Sequence, residues 1–179
     1  SYRGGKYKAE NDEELWSWWW YLNDNKEMEG HYVDGRKNGI WTWWFDSGIK
    51  QSEGHYVDDE QDGLWSYFSK DGSVAEEITF SGGKRDGRST VWLTPEEKQE
   101  EKFYKNGKLD GPSTFWENGY RSTMTTYKSD SPEGPWVIWF SNSDQIKEQG
   151  FHQKGIREGL TTYYYEDGTM QREGFFRNG

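Results

Sequence analysis

Cysteine is missing from the 179 residues, so neither a disulfide framework nor a thiolate metal site is available. Its absence leaves the compartment open, since disulfide-free chains occur on both sides of a membrane. Aliphatic residues are scarce, and hydrophobic residues of all kinds make up only 31% of the chain. No apolar run approaches the roughly 20 residues of a membrane-spanning helix. Positive charge is in deficit, with 22 Lys and Arg against 32 Asp and Glu, for a formal net charge of −10. Such a surface repels phosphate backbones and anionic headgroups, which excludes nucleic acid and disfavours membranes as partners.

Aromatic residues are abundant instead: 12 Trp, 12 Tyr and 9 Phe. Low hydrophobicity with 30% charge would suggest disorder, but disordered chains are poor in aromatics. Large rings bury much area per residue and can carry a core that few aliphatics support. An ordered protein with a thin aromatic core is expected.

The rings recur. Ile40 to Gly63 returns in the same frame as Leu64 to Gly87 and as Arg88 to Gly111, and a fixed period in this range marks a repeat array. The closing glycines are Gly39, Gly63, Gly87, Gly111, Gly134 and Gly159. They divide the chain into repeats 15–39, 40–63, 64–87, 88–111, 112–134, 135–159 and an incomplete 160–179, with 1–14 as the remnant of a preceding one. Ser1 to Lys6 reads as the end of a repeat, and Phe175 to Gly179 stops inside another. A processed product or a piece of a longer chain is therefore expected.

Counting from the closing glycine, position five is always a large aromatic (Trp19, Trp44, Phe68, Trp92, Trp116, Trp139, Tyr164). Position four is always apolar or aromatic, and position three is small or β-branched. A second ring follows at Tyr32, Tyr56, Phe80, Tyr104, Tyr127, Phe151 and Phe176. Such runs bounded by Gly, Asp and Asn are strand signals. Between them, Asp46-Ser47-Gly48, Lys70-Asp71-Gly72, Glu117-Asn118-Gly119 and Glu166-Asp167-Gly168 read as tight hairpin turns. The stretch Asp58 to Gly63 reads as an acidic loop joining one unit to the next. Thr94 to Lys102 has a helix-start signature but occupies a turn slot, so an extended turn or a single helical turn is expected.

A hairpin of this length cannot bury its own rings, so neighbours must stack. A propeller blade needs roughly 40 residues, which these units cannot supply. The expected fold is all-β: one elongated, single-layer, twisted antiparallel sheet of about seven stacked β-hairpin repeats of roughly 24 residues, roughly 65 Å long at about 4.8 Å per strand.

The recurring frame Tyr-x-x-Gly-x-x-x-Gly-x-Trp, as in Tyr32, Gly35, Gly39 and Trp41, resembles the MORN repeat in its bacterial variant, and so does the run from Tyr104 to Gly111. The resemblance covers nearly the whole chain. It implies stacked hairpins without catalysis, in a family that looks like scaffolds, lipid-associated modules and toxin-neutralising partners. The chain departs from the common form in placing Trp or Ser where Gly-x-Gly is usual. Asp59 and Asp130 also stand where Gly35, Gly83, Gly107 and Gly155 supply a loop glycine.

No catalytic constellation emerges. Gly82 to Ser89 mimics a phosphate-binding loop, but no helix follows and the segment is the repeat's own loop in register. His31 and His55 occupy equivalent positions, yet zinc wants three or four ligands and His152 lies far away in sequence, so strand-surface histidines are the simpler account. No metal, cofactor or catalytic residue is assigned. Positions four and five never lose their apolar character and are assigned to packing. Positions two and six accept Ser and Glu, so the rings there, Trp16, Trp20, Trp41, Phe45, Trp65, Trp136 and Phe140, are the candidate binding surface. Denser packing of the N-terminal half is the simpler alternative for them.

A non-enzymatic protein-binding scaffold is the leading expectation, with a basic protein partner, an antitoxin- or immunity-type role, or self-association as an assembly subunit. Glycan binding is the alternative. Trp-rich strands can stack on sugars, and Trp18 to Asn23 resembles the aromatic core of choline- and glucan-binding repeats.

Overall fold

A computed structural model describes residues 3–8, 14–19 and 24–179. They fall into two compact units, Ser1–Asp86 and Gly87–Gly179. The first holds β1 (Arg3–Lys8), β2 (Glu14–Trp19), β3 (Lys26–Val33), β4 (Arg36–Trp44), β5 (Lys50–Val57), β6 (Glu60–Phe68) and β7 (Val74–Ser81). The second holds most of β8 (Lys84–Trp92), then β9 (Lys98–Lys105), β10 (Lys108–Glu117) and β11 (Tyr120–Lys128). It ends with β12 (Ser131–Trp139), β13 (Ile146–Gln153), β14 (Ile156–Tyr164) and β15 (Met170–Phe176). In each unit successive strands pair antiparallel in chain order, giving an open, all-β meander. No helix occurs among the described residues.

Of the four segments whose residues suggest tight turns, Glu117-Asn118-Gly119 is one, closing β10 onto β11 with Glu117 paired to Tyr120, and the other three are wider connections. Tight turns lie at Asp34-Gly35, Asp58-Asp59, Gly82-Gly83, Asn106-Gly107, Asn118-Gly119, Ser129-Asp130 and Lys154-Gly155, each with two successive positive φ angles. Positive φ at both central residues defines the type I′ turn, whose twist matches that of paired strands. Asp46-Ser47-Gly48, Lys70-Asp71-Gly72 and Glu166-Asp167-Gly168 belong to wider turns. Phe45 N–H reaches Ile49 O at 2.8 Å and Gly48 N–H reaches Phe45 O at 2.9 Å, and Tyr165 to Thr169 repeats the pattern. Leu93 to Glu97 closes likewise, with Leu93 N–H on Glu97 O at 2.8 Å, so the proline segment is an extended turn. Most of the acidic loop Asp58 to Gly63 is the start of β6. Its closing glycine sits inside the strand at φ +74, where the register slips between Glu53 and His55. A left-handed bulge of this kind is what glycine alone adopts without strain.

Asp59 and Asp130 stand in glycine positions at φ +71 and +70, and they do what glycine cannot. Asp59 donates its N–H to Lys37 O at 3.0 Å, and its Oδ1 accepts the Lys37 N–H at 2.8 Å. Asp130 and Leu109 form the same pair at 2.9 and 2.8 Å. Elsewhere the residue before the closing glycine clamps the next turn: Glu133 accepts the Lys154 N–H at 2.7 Å and Glu158 the Asn178 N–H at 2.9 Å. These turn-end carboxylates tie successive repeats together outside the sheet ladder.

A one-layer sheet must cover both faces with its own side chains. Strand alternation puts Trp41, Trp43 and Tyr56 on one face and Ile40, Thr42 and Trp44 on the other. On the first face of the first unit the rings interlock, Tyr32 on Trp41 at 5.1 Å and 87°, and Tyr56 on Trp65 at 5.0 Å and 84°. Each such pair contributes about 0.5–1.5 kcal/mol beyond its buried area. Lys37 lies over them, 4.6 Å from the Trp41 ring. On the opposite face, position five is covered by a lysine ladder. Lys26 lies over Trp44, Lys50 over Phe68 and Lys98 over Trp116. Each lysine is held by a glutamate three residues on, and Thr42 Oγ1 donates to Glu53 Oε2 at 3.0 Å within that ladder.

Candidate binding surface

Position two is the core. Trp41 is fully buried, and Trp65 and Trp136 are each 2% exposed. These three candidates are therefore corrected from surface to packing residues, because their slot lies on the interlocked face. Ser89, Ser113 and Thr161 fill the same slot and are buried too. The slot tolerates Ser because its volume is shared with the neighbouring strand. Opposite or beside the tryptophans the neighbouring strand carries glycine, and a Cβ at Gly30 would stand 2.1 Å from the Trp41 ring, or at Gly54 2.2 Å from the Trp65 ring. Opposite Ser113, β9 carries Lys102 instead.

The glycine notch also satisfies the indole nitrogen. Trp41 Nε1 donates to His31 O at 3.2 Å, and Trp65 Nε1 to His55 O at 3.1 Å. Trp136 leans the other way, onto Gly150 of the following strand, because β11 presents Thr125 rather than glycine. Its Nε1 is buried without a partner, and the Arg157 guanidinium lies 4.2 Å from the ring centroid.

The other candidates separate. Trp16 is half-buried, stacked on Trp18 at 5.6 Å, and lines an open hollow of about 250 Å³ with Trp18, Tyr32 and Gly35. Trp20 lies outside the described residues, as does most of the Trp18 to Asn23 segment. Phe45 and Phe140 are half-buried at wide turns. Phe140 lines a cavity of about 430 Å³ with Tyr163, Tyr164, Tyr165, Lys147 and Glu148.

His152 is not a surface histidine. It stands opposite Gly134, in the slot that Tyr56 fills opposite Gly39, with its ring 5.8 Å from Trp136. Burial, and after it the nearby Arg157 charge, lowers its pKa below the ordinary 6.5. Phe151, which the ring series places in that slot, is consequently turned to the opposite face.

That face carries the exposed apolar groups. Within each unit, position one and its cross-strand partner form a stripe on the face away from position two. In the first unit Ile40 faces His55 and Leu64 faces Thr79, and both aliphatics are more than half exposed. In the second, Pro135 faces Phe151 and Leu160 faces Phe175, with Leu160 49% and Phe175 65% exposed. Contiguous exposed apolar groups of this size mark contact sites. Period-two alternation was the available signal, since position one must face away from positions two and four.

The family model of the MORN repeat variant matches residues 37–58, 61–81 and 157–178. These three segments are repeats of the MORN-variant type. Each matched segment starts just after a type I′ turn and spans one wide-turn hairpin, so the MORN unit is the hairpin that carries the position-one stripe. MORN repeats are, as a class, modules that bind proteins or membranes. No curated protein matches the chain.

Proposed function

We propose that this chain of MORN-type repeats is a non-enzymatic protein-binding scaffold that makes contact through the position-one stripe of either unit. The observation that carries it is the exposure of Ile40, Leu64, Phe151, Leu160 and Phe175 on the face opposite the interlocked rings, where the fold makes no use of them. With a net charge of −10, a basic partner is favoured, as a toxin-neutralising or assembly partner would be. The test is capture from the native lysate with three tagged chains: wild type, Ile40→Ser/Leu64→Ser and Leu160→Ser/Phe175→Ser. A roughly equimolar protein held by wild type, released by salt and lost from either double variant is expected. Equal retention by all three chains refutes the stripe as the contact surface.

Glycan binding is a second reading, favoured by the cavity at Phe140, where three tyrosines stand beside Lys147 and Glu148. Aromatic platforms with adjacent polar groups suit the two faces of a sugar ring. Calorimetric titration with cell-wall glycans gives no heat if this reading is wrong, and a Phe140→Ala-sensitive signal if it is right.

A further inference from the structure

The stripe of the second unit carries negative charge on both flanks. Glu158 pairs in register with Phe151, so both side chains emerge on the stripe's face. Glu173 lies two residues from Phe175 on β15 and shares that face, about 7 Å along the strand. Three exposed apolar groups, Phe151, Leu160 and Phe175, thus sit between a carboxylate at the turn end and another toward the wide-turn end. Glu158 accepts the Asn178 N–H at 2.9 Å. Arg177, 5.4 Å from the Phe175 ring, also borders this patch.

We propose that this surface binds a basic amphipathic helix of a partner protein, its apolar stripe on Phe151, Leu160 and Phe175 and its flanking lysines or arginines on Glu158 and Glu173. The proposal rests on the scaffold reading and names the chemistry of the partner. Spacing favours a helix laid across the strands. The stripe advances one strand at a time, about 4.8 Å. An amphipathic helix with apolar residues at i, i+3, i+4 and i+7 presents one about every 5 Å along its axis. Its backbone is satisfied internally, so it needs no strand edge. A second copy of this chain, docked face to face, would set Glu158 and Glu173 against their own equivalents and is disfavoured by like-charge repulsion.

The test is fluorescence anisotropy with two labelled peptides of about 20 residues, sharing one apolar helical stripe. One carries Lys and Arg on its flanks and the other Glu. Wild type is expected to bind the basic peptide at least tenfold more tightly than the acidic one, with roughly tenfold weakening at high salt. Leu160→Ser/Phe175→Ser and Phe151→Ser leave the charge unchanged and are each expected to weaken it at least tenfold, with circular dichroism confirming the fold. Equal binding of the basic peptide by wild type and both stripe variants overturns the proposal, because charge alone would then suffice. Capture of the native partner that depends on the stripe, without binding of either peptide, overturns the helix and leaves the scaffold reading standing. Partner capture indifferent to the stripe overturns both. A wild-type dimer that the stripe variants abolish makes a second copy the occupant and also overturns the helix.

Discussion

Gly54→Ala tests the glycine notch, the contact on which the burial of position two depends. An added Cβ would stand 2.2 Å from Cδ2 and 2.3 Å from Cε2 of Trp65. Carbon atoms pack at about 3.5–4.0 Å, so the ring must withdraw by more than about 1 Å. It has little room, because Tyr56 lies edge-on at 5.0 Å and Trp43 is tilted against it at 5.7 Å. Withdrawal also breaks the 3.1 Å bond from Trp65 Nε1 to His55 O. Overpacking costs about 1–3 kcal/mol and the lost hydrogen bond about 1 kcal/mol. Gly54 has no positive φ, so alanine regains about 0.4–1 kcal/mol by restricting the unfolded chain. A net loss of about 1–3 kcal/mol follows. The assay is urea unfolding of the intact chain, followed by tryptophan fluorescence and far-ultraviolet circular dichroism. The decisive control is Trp65→Ser, which copies the buried Ser113 found opposite Lys102. Adding Gly54→Ala to it should cost nothing further, giving a coupling energy of about 1–3 kcal/mol. Simple additivity of the two substitutions would refute the notch as the reason position two can hold tryptophan.

Three further outcomes are expected. Asp59→Asn keeps an acceptor for the Lys37 N–H and tolerates positive φ, so it should unfold within about 0.5 kcal/mol of wild type, whereas Asp59→Ala should lose about 1–2 kcal/mol in the same urea titration. His152 has its pKa lowered by burial and by Arg157, so its stabilising contribution is complete above pH 6.5 and is lost as the pH falls through the folded value. His152→Tyr, which restores the ring found at Tyr56, should flatten thermal stability against pH between about 7 and 5. For Glu53 the pKa is lowered from 4.5, first by the Lys50 hydrogen bond, against the opposing effect of burial, and then by Thr42. Its contribution is therefore present above pH 4.5 and lost as the pH falls through the folded value. Glu53→Gln should weaken the acid-induced fall in melting temperature, a change that calorimetry below about pH 5 would detect.

Much of this was legible in the chain alone. The closing glycines and the unvarying ring at position five sufficed for strands, hairpins, their repetition and the family, because a pattern of rings and glycines with a period of about 24 can be satisfied by few backbones. Alternation could also have placed Ile40 and Leu160 on the face away from Trp41, although variability along the array pointed to the wrong position. Position two varies because its volume is shared with the neighbouring strand. Gly30 and Gly54 admit a tryptophan, and Lys102 faces a serine, so a variable position turned out to be the most buried. Register decided the rest. Only the pairing of strands determines that Asp58-Asp59 is the tight turn and Asp46-Ser47-Gly48 the wide one, since both segments carry turn residues. Only the one-residue offset of β13 puts His152 among the rings and turns Phe151 outward. A sequence determines which side chains alternate along a strand, but which neighbours they meet across the sheet depends on bulges and turns, and there the buried face and the binding face are chosen.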